Sequence, residues 1–277
     1  MKTTMDGAGR VTALIVLATT FTAGPAAAQA LNDKYWIEVS AYFPKANTTV
    51  SVSRPSFPGT EIDMESDLDL DENETLPAIY AGARLGERWV VAGEYYGLDR
   101  QGSRTIERDI NFDGATFPVG VEVSSKMKSN IYRLTVGYSF IRTDRAELGA
   151  AIGLHATNFE FSLQGDADVD IGVIRRQNQK RTFLAPMPTV GVFGTYEVTP
   201  KVILTGRADY LSLDVGDYDG SILNAQAAIS YKVTDMIEIG AAYRYVDYGL
   251  DVDKSRYTAS VDYDFSGPAV FIRAGFR

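Results

Sequence analysis

The chain has 277 residues, with 36 acidic and 27 basic side chains, a single histidine and no cysteine. A net charge of −9 argues against nucleic acid as a partner, and the lack of thiols excludes disulfides and thiolate metal sites. One histidine is too few for a transition-metal centre, so neither a metal nor a resident cofactor is expected.

In chain order, Lys2 and Arg10 frame a positive start, an apolar run occupies 11–21, and AGPAAAQA closes on Ala28-Gln29-Ala30. This predicts a secretory signal peptide over 1–30, cleaved after Ala30, with the fold in 31–277. The apolar run is too short for a membrane helix, which needs roughly 20 residues. Loss of Lys2, Arg10 and Asp6 leaves the remainder one unit more negative.

From residue 34 onward the dominant pattern is alternation of period two, the signature of strands. YWIEVSAYF sets Tyr35, Ile37, Val39, Ala41 and Phe43 against Glu38 and Ser40. NIYRLTVGYSF, KVILTGRADY and SILNAQAAISY repeat the arrangement. The predicted strands are 34–53, 60–85, 89–106, 121–142, 147–163, 183–197, 201–214, 221–232, 236–248 and 256–277. Pro77 weakens the second, and Pro186 and Pro188, which cannot donate to a ladder, weaken the sixth. In the last segment the apolar face is odd up to Phe265 and even from Val270, which predicts a one-residue bulge at Ser266-Gly267-Pro268.

Short turns at 86–88, 143–146, 199–201 and 233–235 alternate with long polar segments near 54–60, 107–120, 164–182, 215–220 and 249–255. On the apolar faces, Tyr35, Trp89, Phe140, Tyr196, Tyr231 and Phe276 stand beside short turns or a chain end. Tyr95, Tyr132, Tyr210 and Tyr245 stand at the other ends. Two aromatic girdles around an apolar band suit a transmembrane antiparallel up-and-down β-barrel of about ten strands, eight and twelve being the neighbouring even counts.

The chain resembles a bacterial outer-membrane β-barrel protein of the small porin-like superfamily, over all of 31–277. Its end, VFIRAGF, is similar to the C-terminal strand such proteins present to the barrel-insertion machinery, although Arg277 follows Phe276. The resemblance implies the outer membrane of a Gram-negative bacterium as location, with outer-membrane lipids and lipopolysaccharide as neighbours.

Several groups of residues are candidates for function. The non-apolar faces carry Glu38, Glu94, Glu147, Asp209, Glu238 and Asp262, with Arg84, Arg133, Arg207, Arg244 and Arg273, a near balance that suggests a lumen charge network. His155, in H-A-T-N with Thr157 and Asn158, is similar to the H-x-S-N stretch of outer-membrane lipid hydrolases. Thr in place of Ser and a lumen-facing phase make it a weak catalytic candidate.

Arg175, Arg176, Lys180 and Arg181 suit lipopolysaccharide phosphates, or form a solvated loop. In EIDMESDLDLD the acids Glu61, Asp63, Glu65, Asp67, Asp69 and Asp71 alternate with apolar residues. A calcium loop is excluded by Glu72 where glycine is required and Ala78 where glutamate is. The ladder is expected as one face of a protruding strand. With Asp166, Asp168 and Asp170, and with Asp217, Asp219, Asp251 and Asp253, it makes an acidic outer rim able to hold Ca²⁺ or Mg²⁺ loosely.

Two readings follow: a non-enzymatic, porin-like narrow or gated pore or structural envelope barrel, and a surface-interaction barrel whose loops bind lipopolysaccharide, divalent cations or a host or phage partner.

Overall fold

A computed structural model describes residues 31, 33–170 and 173–277, and the side chains of these except 167–170, 173–177 and 215. The proposed signal peptide lies outside the described residues. The strands are β1 (Tyr35–Tyr42), β2 (Lys45–Ser53), β3 (Ile62–Asp63), β4 (Leu76–Leu85), β5 (Trp89–Thr105), β6 (Ile110–Phe112) and β7 (Ala115–Phe117). The long ones follow: β8 (Glu122–Arg142), β9 (Ala146–Asp170), β10 (Val173–Thr199), β11 (Val202–Val215), β12 (Tyr218–Lys232), β13 (Ile237–Lys254) and β14 (Tyr257–Phe276). One short helix, α1 (Met64–Leu68), follows β3.

Antiparallel pairing runs β1-β4-β5-β8-β9-β10-β11-β12-β13-β14 and closes from β14 back onto β1. Among the described residues this is a ring of ten strands, the expected count. β2 continues the line of β1 along β14: Ala269 pairs with Tyr42 and Ser266 with Lys45. The second predicted strand, 60–85, is instead broken into β3, α1 and β4. The polar segments 164–182, 215–220 and 249–255 are largely continuations of strands.

The expected bulge at Ser266-Gly267-Pro268 is absent. Register along β13–β14 is unbroken from Ile237↔Ala274 to Lys254↔Tyr257, and the odd residues of β14 face inward for most of its length. What changes is the surroundings. Near the short turns the outward residues are apolar (Ile239, Val270, Ile272) and the inward ones charged (Glu238, Arg244). Higher up, Val246, Tyr248, Val261, Tyr263 and Phe265 point inward while Asp247, Asp251, Asp262 and Asp264 point outward. The lower half is built against lipid and the upper half against water, as a soluble barrel with an apolar core.

Length agrees with this division. β9 has 25 residues and β10 has 27, whereas a tilted strand crosses a bilayer in about 9–11. All ten girdle aromatics are exposed, and Tyr95 and Tyr132 pack at 5.0 Å between ring centroids. A packed cluster that includes Tyr42, Tyr96, Phe159, Phe161, Tyr263 and Phe265 fills the upper lumen.

Candidate functional site

The lower lumen is occupied by ion pairs. Glu94, on β5, accepts from Arg207 at 2.7 Å and from Arg133 at 3.4 Å, and Arg244 donates to its other oxygen. Arg133 also bonds Asp209, and Gln226 accepts from Arg207 at 3.0 Å and from Arg244 at 2.8 Å. Closer to the short turns, Arg84 makes a two-pronged pair with Glu147, 2.8 Å on each side. Lys232 pairs with Glu197 at 2.9 Å, and Ser230 donates to Glu238 at 3.0 Å.

These groups come from β4, β5, β8, β9, β10, β11, β12 and β13, so the network ties the ring across its diameter. Aromatic faces support it: the Arg244 guanidinium lies 5.0 Å from the Tyr96 ring and 5.3 Å from the Tyr42 ring. A cavity of about 150 Å³ remains on the short-turn side, where Glu38 faces Arg207 and Arg273. The mouth there is narrowed by Asp33, 3.5 Å from Arg273, and by Leu31, whose carbonyl accepts from Arg142 at 2.7 Å.

The upper end is covered. β6 and β7 form a hairpin about Asp113-Gly114, whose φ values of 49° and 88° suit a tight two-residue turn. Ile110, Phe112, Ala115 and Phe117 turn their side chains down into the core. Asp113 holds the hairpin in place by accepting from Arg54 at 3.1 Å and from Arg181, and Thr116 pairs with Asp168 of β9. Where β4 stops short, 62–71 fills the wall between β2 and β5. Arg100, fully buried, bonds Glu65 at 2.5 Å and also Thr48, and Glu65 accepts the Thr48 amide at 2.8 Å.

The arrangement places ion pairs and an apolar core along the axis of the ring, narrows its short-turn end and covers the other. A family model described as outer membrane protein beta-barrel domain matches residues 13–265. The chain belongs to that family. Its fold is similar to that of the outer membrane protease OmpT from Escherichia coli, at 13% identity and TM-score 0.55, over 89% of this chain and 98% of that one. Weaker likenesses are the translocator domain of the autotransporter NalP from Neisseria meningitidis (12% identity, TM-score 0.43, 83% and 87% covered) and the toluene transporter TbuX from Ralstonia pickettii (10%, 0.37, 89% and 90%). At 13% identity the likeness to OmpT shows the fold alone. A comparison with curated proteins finds no match.

Within this outer-membrane barrel, ten of the eleven residues expected in the lumen are there. The exception is Asp262, which lies on the outer surface of the upper half, because inward and outward chemistry exchange above the girdle. Burial, and then the charges of Asp251, Glu61 and Asp247, hold its carboxyl above the usual range.

The acidic ladder is not one continuous strand: only Ile62–Asp63 pair, as β3, and a helical turn follows. Asp63 caps α1, accepting the Ser66 amide at 2.8 Å; Asp67 meets Arg108 at 2.5 Å; Asp69 takes a left-handed φ of 56°; and Glu65 turns inward to Arg100. Glu61, Asp63, Asp69, Asp71 and Asp166 are exposed. Arg181 points inward, over the Tyr257 ring at 4.8 Å, so it is not part of an outer clamp. Lys180 faces outward and pairs with Glu160 at 2.9 Å. The side chains of Asp168, Asp170, Arg175 and Arg176 lie outside the described residues. His155 is 2% exposed beside Tyr248, and the triplet it leads is split: Thr157 points in and Asn158 out.

Arg100 and the hairpin latch had no place in the sequence reading. Their signals were present: Arg100 shares the phase of Tyr96 and Leu98, and INFDGATF alternates around an Asp-Gly turn.

Proposed function

We propose that the protein is a non-enzymatic envelope barrel, closed along its axis, that does not act as a general diffusion pore. The observation that carries this reading is the Glu94 cluster with its three arginines, lying across the lumen beneath a packed apolar core. Ionised groups inside a membrane barrel persist where they are paired, and here the pairing bridges opposite walls. His155 has no catalytic role on this reading, since its ring is sealed in the interior.

The reading is tested by swelling of liposomes that contain the purified protein, in an isotonic small sugar. No swelling above protein-free liposomes is expected; swelling at the rate of an open porin would remove it. Alongside it, fatty-acid release from phospholipid is expected to be absent, and release that disappears in His155→Ala would restore an enzymatic reading.

A second reading, binding at the outer surface, is favoured by like charges set directly opposite one another. Asp219 pairs in register with both Asp214 and Asp251, and Asp247 with Asp264. Such pairs cost stability, which cations would offset. Among the described residues no group of three or more His, Cys, Asp or Glu is placed to hold a metal ion, so any Ca²⁺ or Mg²⁺ would be held diffusely. Calorimetry should then show weak, salt-sensitive heats, and tight stoichiometric binding would contradict a diffuse rim.

A further inference from the structure

The ring is not hydrogen-bonded over its full height. β10 pairs with β9 from Val173↔Asp170 down to Tyr196↔Ala146. On its other side it pairs with β11 only between Val190↔Tyr210 and Thr199↔Val202. Above that point Leu211–Val215 pair with β12 alone. Among the described residues, no other backbone hydrogen bond reaches 173–189 or 211–215. The other places where a wall strand loses its neighbour are covered: β2 by β3, β5 above Tyr96 by residues 62–71, with the Asp71 amide donating to the Gln101 carbonyl, and the top of β9 by β7. The seam between β10 and β11 is left open.

The reason is in the sequence. Continued upward, the register that joins Val190 to Tyr210 would set Pro188 opposite Ser212 and Pro186 opposite Asp214. Proline has no N–H to give and is tolerated on edges rather than inside a sheet. The two prolines therefore stop the zipper at the level of Tyr210, a residue of the outer girdle, and they also disfavour addition of a peptide strand to the same edge.

The seam is apolar on its inner side, while outside it is apolar on β10 and at its base, with Ser212 and Asp214 exposed on β11 above. Outside, Leu184, Val190 and Tyr210 are exposed. Inside, Met187 stands across the gap: a Cβ added to Gly220 of β12 would lie 2.7 Å from its terminal methyl. Behind Met187 lie Ile222 and the aromatic interior, with Phe159 at 5.4 Å from Phe183 and 5.3 Å from Tyr248 between ring centroids. Methionine, unbranched with three rotatable bonds, is the apolar side chain best able to swing aside.

We infer that this seam is a lateral port at which an acyl chain of an outer-leaflet lipid inserts into the edge of the packed apolar core, with Met187 swinging aside as its gate. The port opens where the bilayer meets the girdle and leads to a blind interior, so it does not require an axial channel.

The test uses the full chain in vesicles of phosphatidylethanolamine and phosphatidylglycerol in which some phosphatidylethanolamine carries a radiolabelled acyl chain. A photoreactive phenylalanine analogue replaces Ile222, which points inward behind the seam. A second protein carries the same analogue and also Thr189→Cys and Leu211→Cys, the next register pair, in a chain with no other cysteine. Irradiation is expected to attach labelled lipid at 222, to lose that product when the cysteines are oxidised, and to regain it on reduction. Replacing Met187 by Ala should increase the attachment.

The same analogue at outward-facing Leu184 reports contact with the bilayer. Label at 184 with none at 222 in the unlocked protein would overturn the proposal. So would label at 222 that persists unchanged in the locked form, or a protein–protein product through the edge of β10 in place of the lipid product.

Discussion

At the scale of single residues, the protein separates charges that hold the structure from charges that water absorbs. Glu94 is buried and shared by three arginines. Glu94→Gln leaves them without their common counter-ion, and breaking a buried pair from one side costs about 3–5 kcal/mol. Equilibrium unfolding in urea from detergent micelles should show that loss. Lys45–Glu72, at 2.9 Å but well exposed, should show about 0–1 kcal/mol in the same assay.

Asp262 gives the opposite sign. Its carboxyl is raised above the ordinary 3.8 by burial and by neighbouring carboxylates, so the fold disfavours its charged form. The penalty is complete above the raised value and is relieved as pH falls below 3.8. Asp262→Asn should therefore be more stable than the parent at neutral pH, with the advantage fading through the acid range. A variant less stable at neutral pH would contradict the placement of Asp262 among like charges.

At the scale of elements, the cap hairpin β6–β7 is held by its apolar underside and by the Asp113 latch. Phe112→Ala together with Phe117→Ala removes two buried rings, a change worth about 3–5 kcal/mol per phenylalanine when fully buried. The expected readout is local: protease cleavage within 106–121 becomes fast while the rest of the barrel stays intact. Resistance equal to the parent would mean that the hairpin is held by something other than its core contacts.

What is legible in the sequence and what is not share a physical cause. Period-two alternation identifies which residues share a face, and the strands and girdles followed from it. It does not say which face is inside, because apolar means outward against lipid and inward against water. The pattern alone therefore puts Tyr263 and Phe265 on the lipid side and calls for a bulge to explain Val270 and Ile272, where the register runs unbroken. The helix α1 was hidden for a related reason: Met64 and Leu68 are four apart, a spacing that satisfies both a strand and a helix. The hairpin at 110–117 was obscured by Glu107, Arg108 and Asp109 before it and by Asp113 in its turn. Arg100 and the lumen pairs show the limit: residue phase brings groups to the interior, but partners across the ring depend on closure.

At the scale of the molecule, one ring of strands meets two solvents. Arginine at Ile152, an exposed position between the girdles, should cost about 2–4 kcal/mol near the bilayer midplane, whereas arginine at Ser162, on the same strand above the girdle, should cost little. Folding into vesicles of defined thickness measures both, and equal costs would displace the boundary drawn here. The central claim, that the axis is sealed by the Glu94 cluster below and the apolar core and cap above, is tested most directly by planar-bilayer recording of the purified protein. A sealed barrel predicts no steady conductance in the parent protein, and a large, steady, ohmic conductance from single inserted molecules would contradict it.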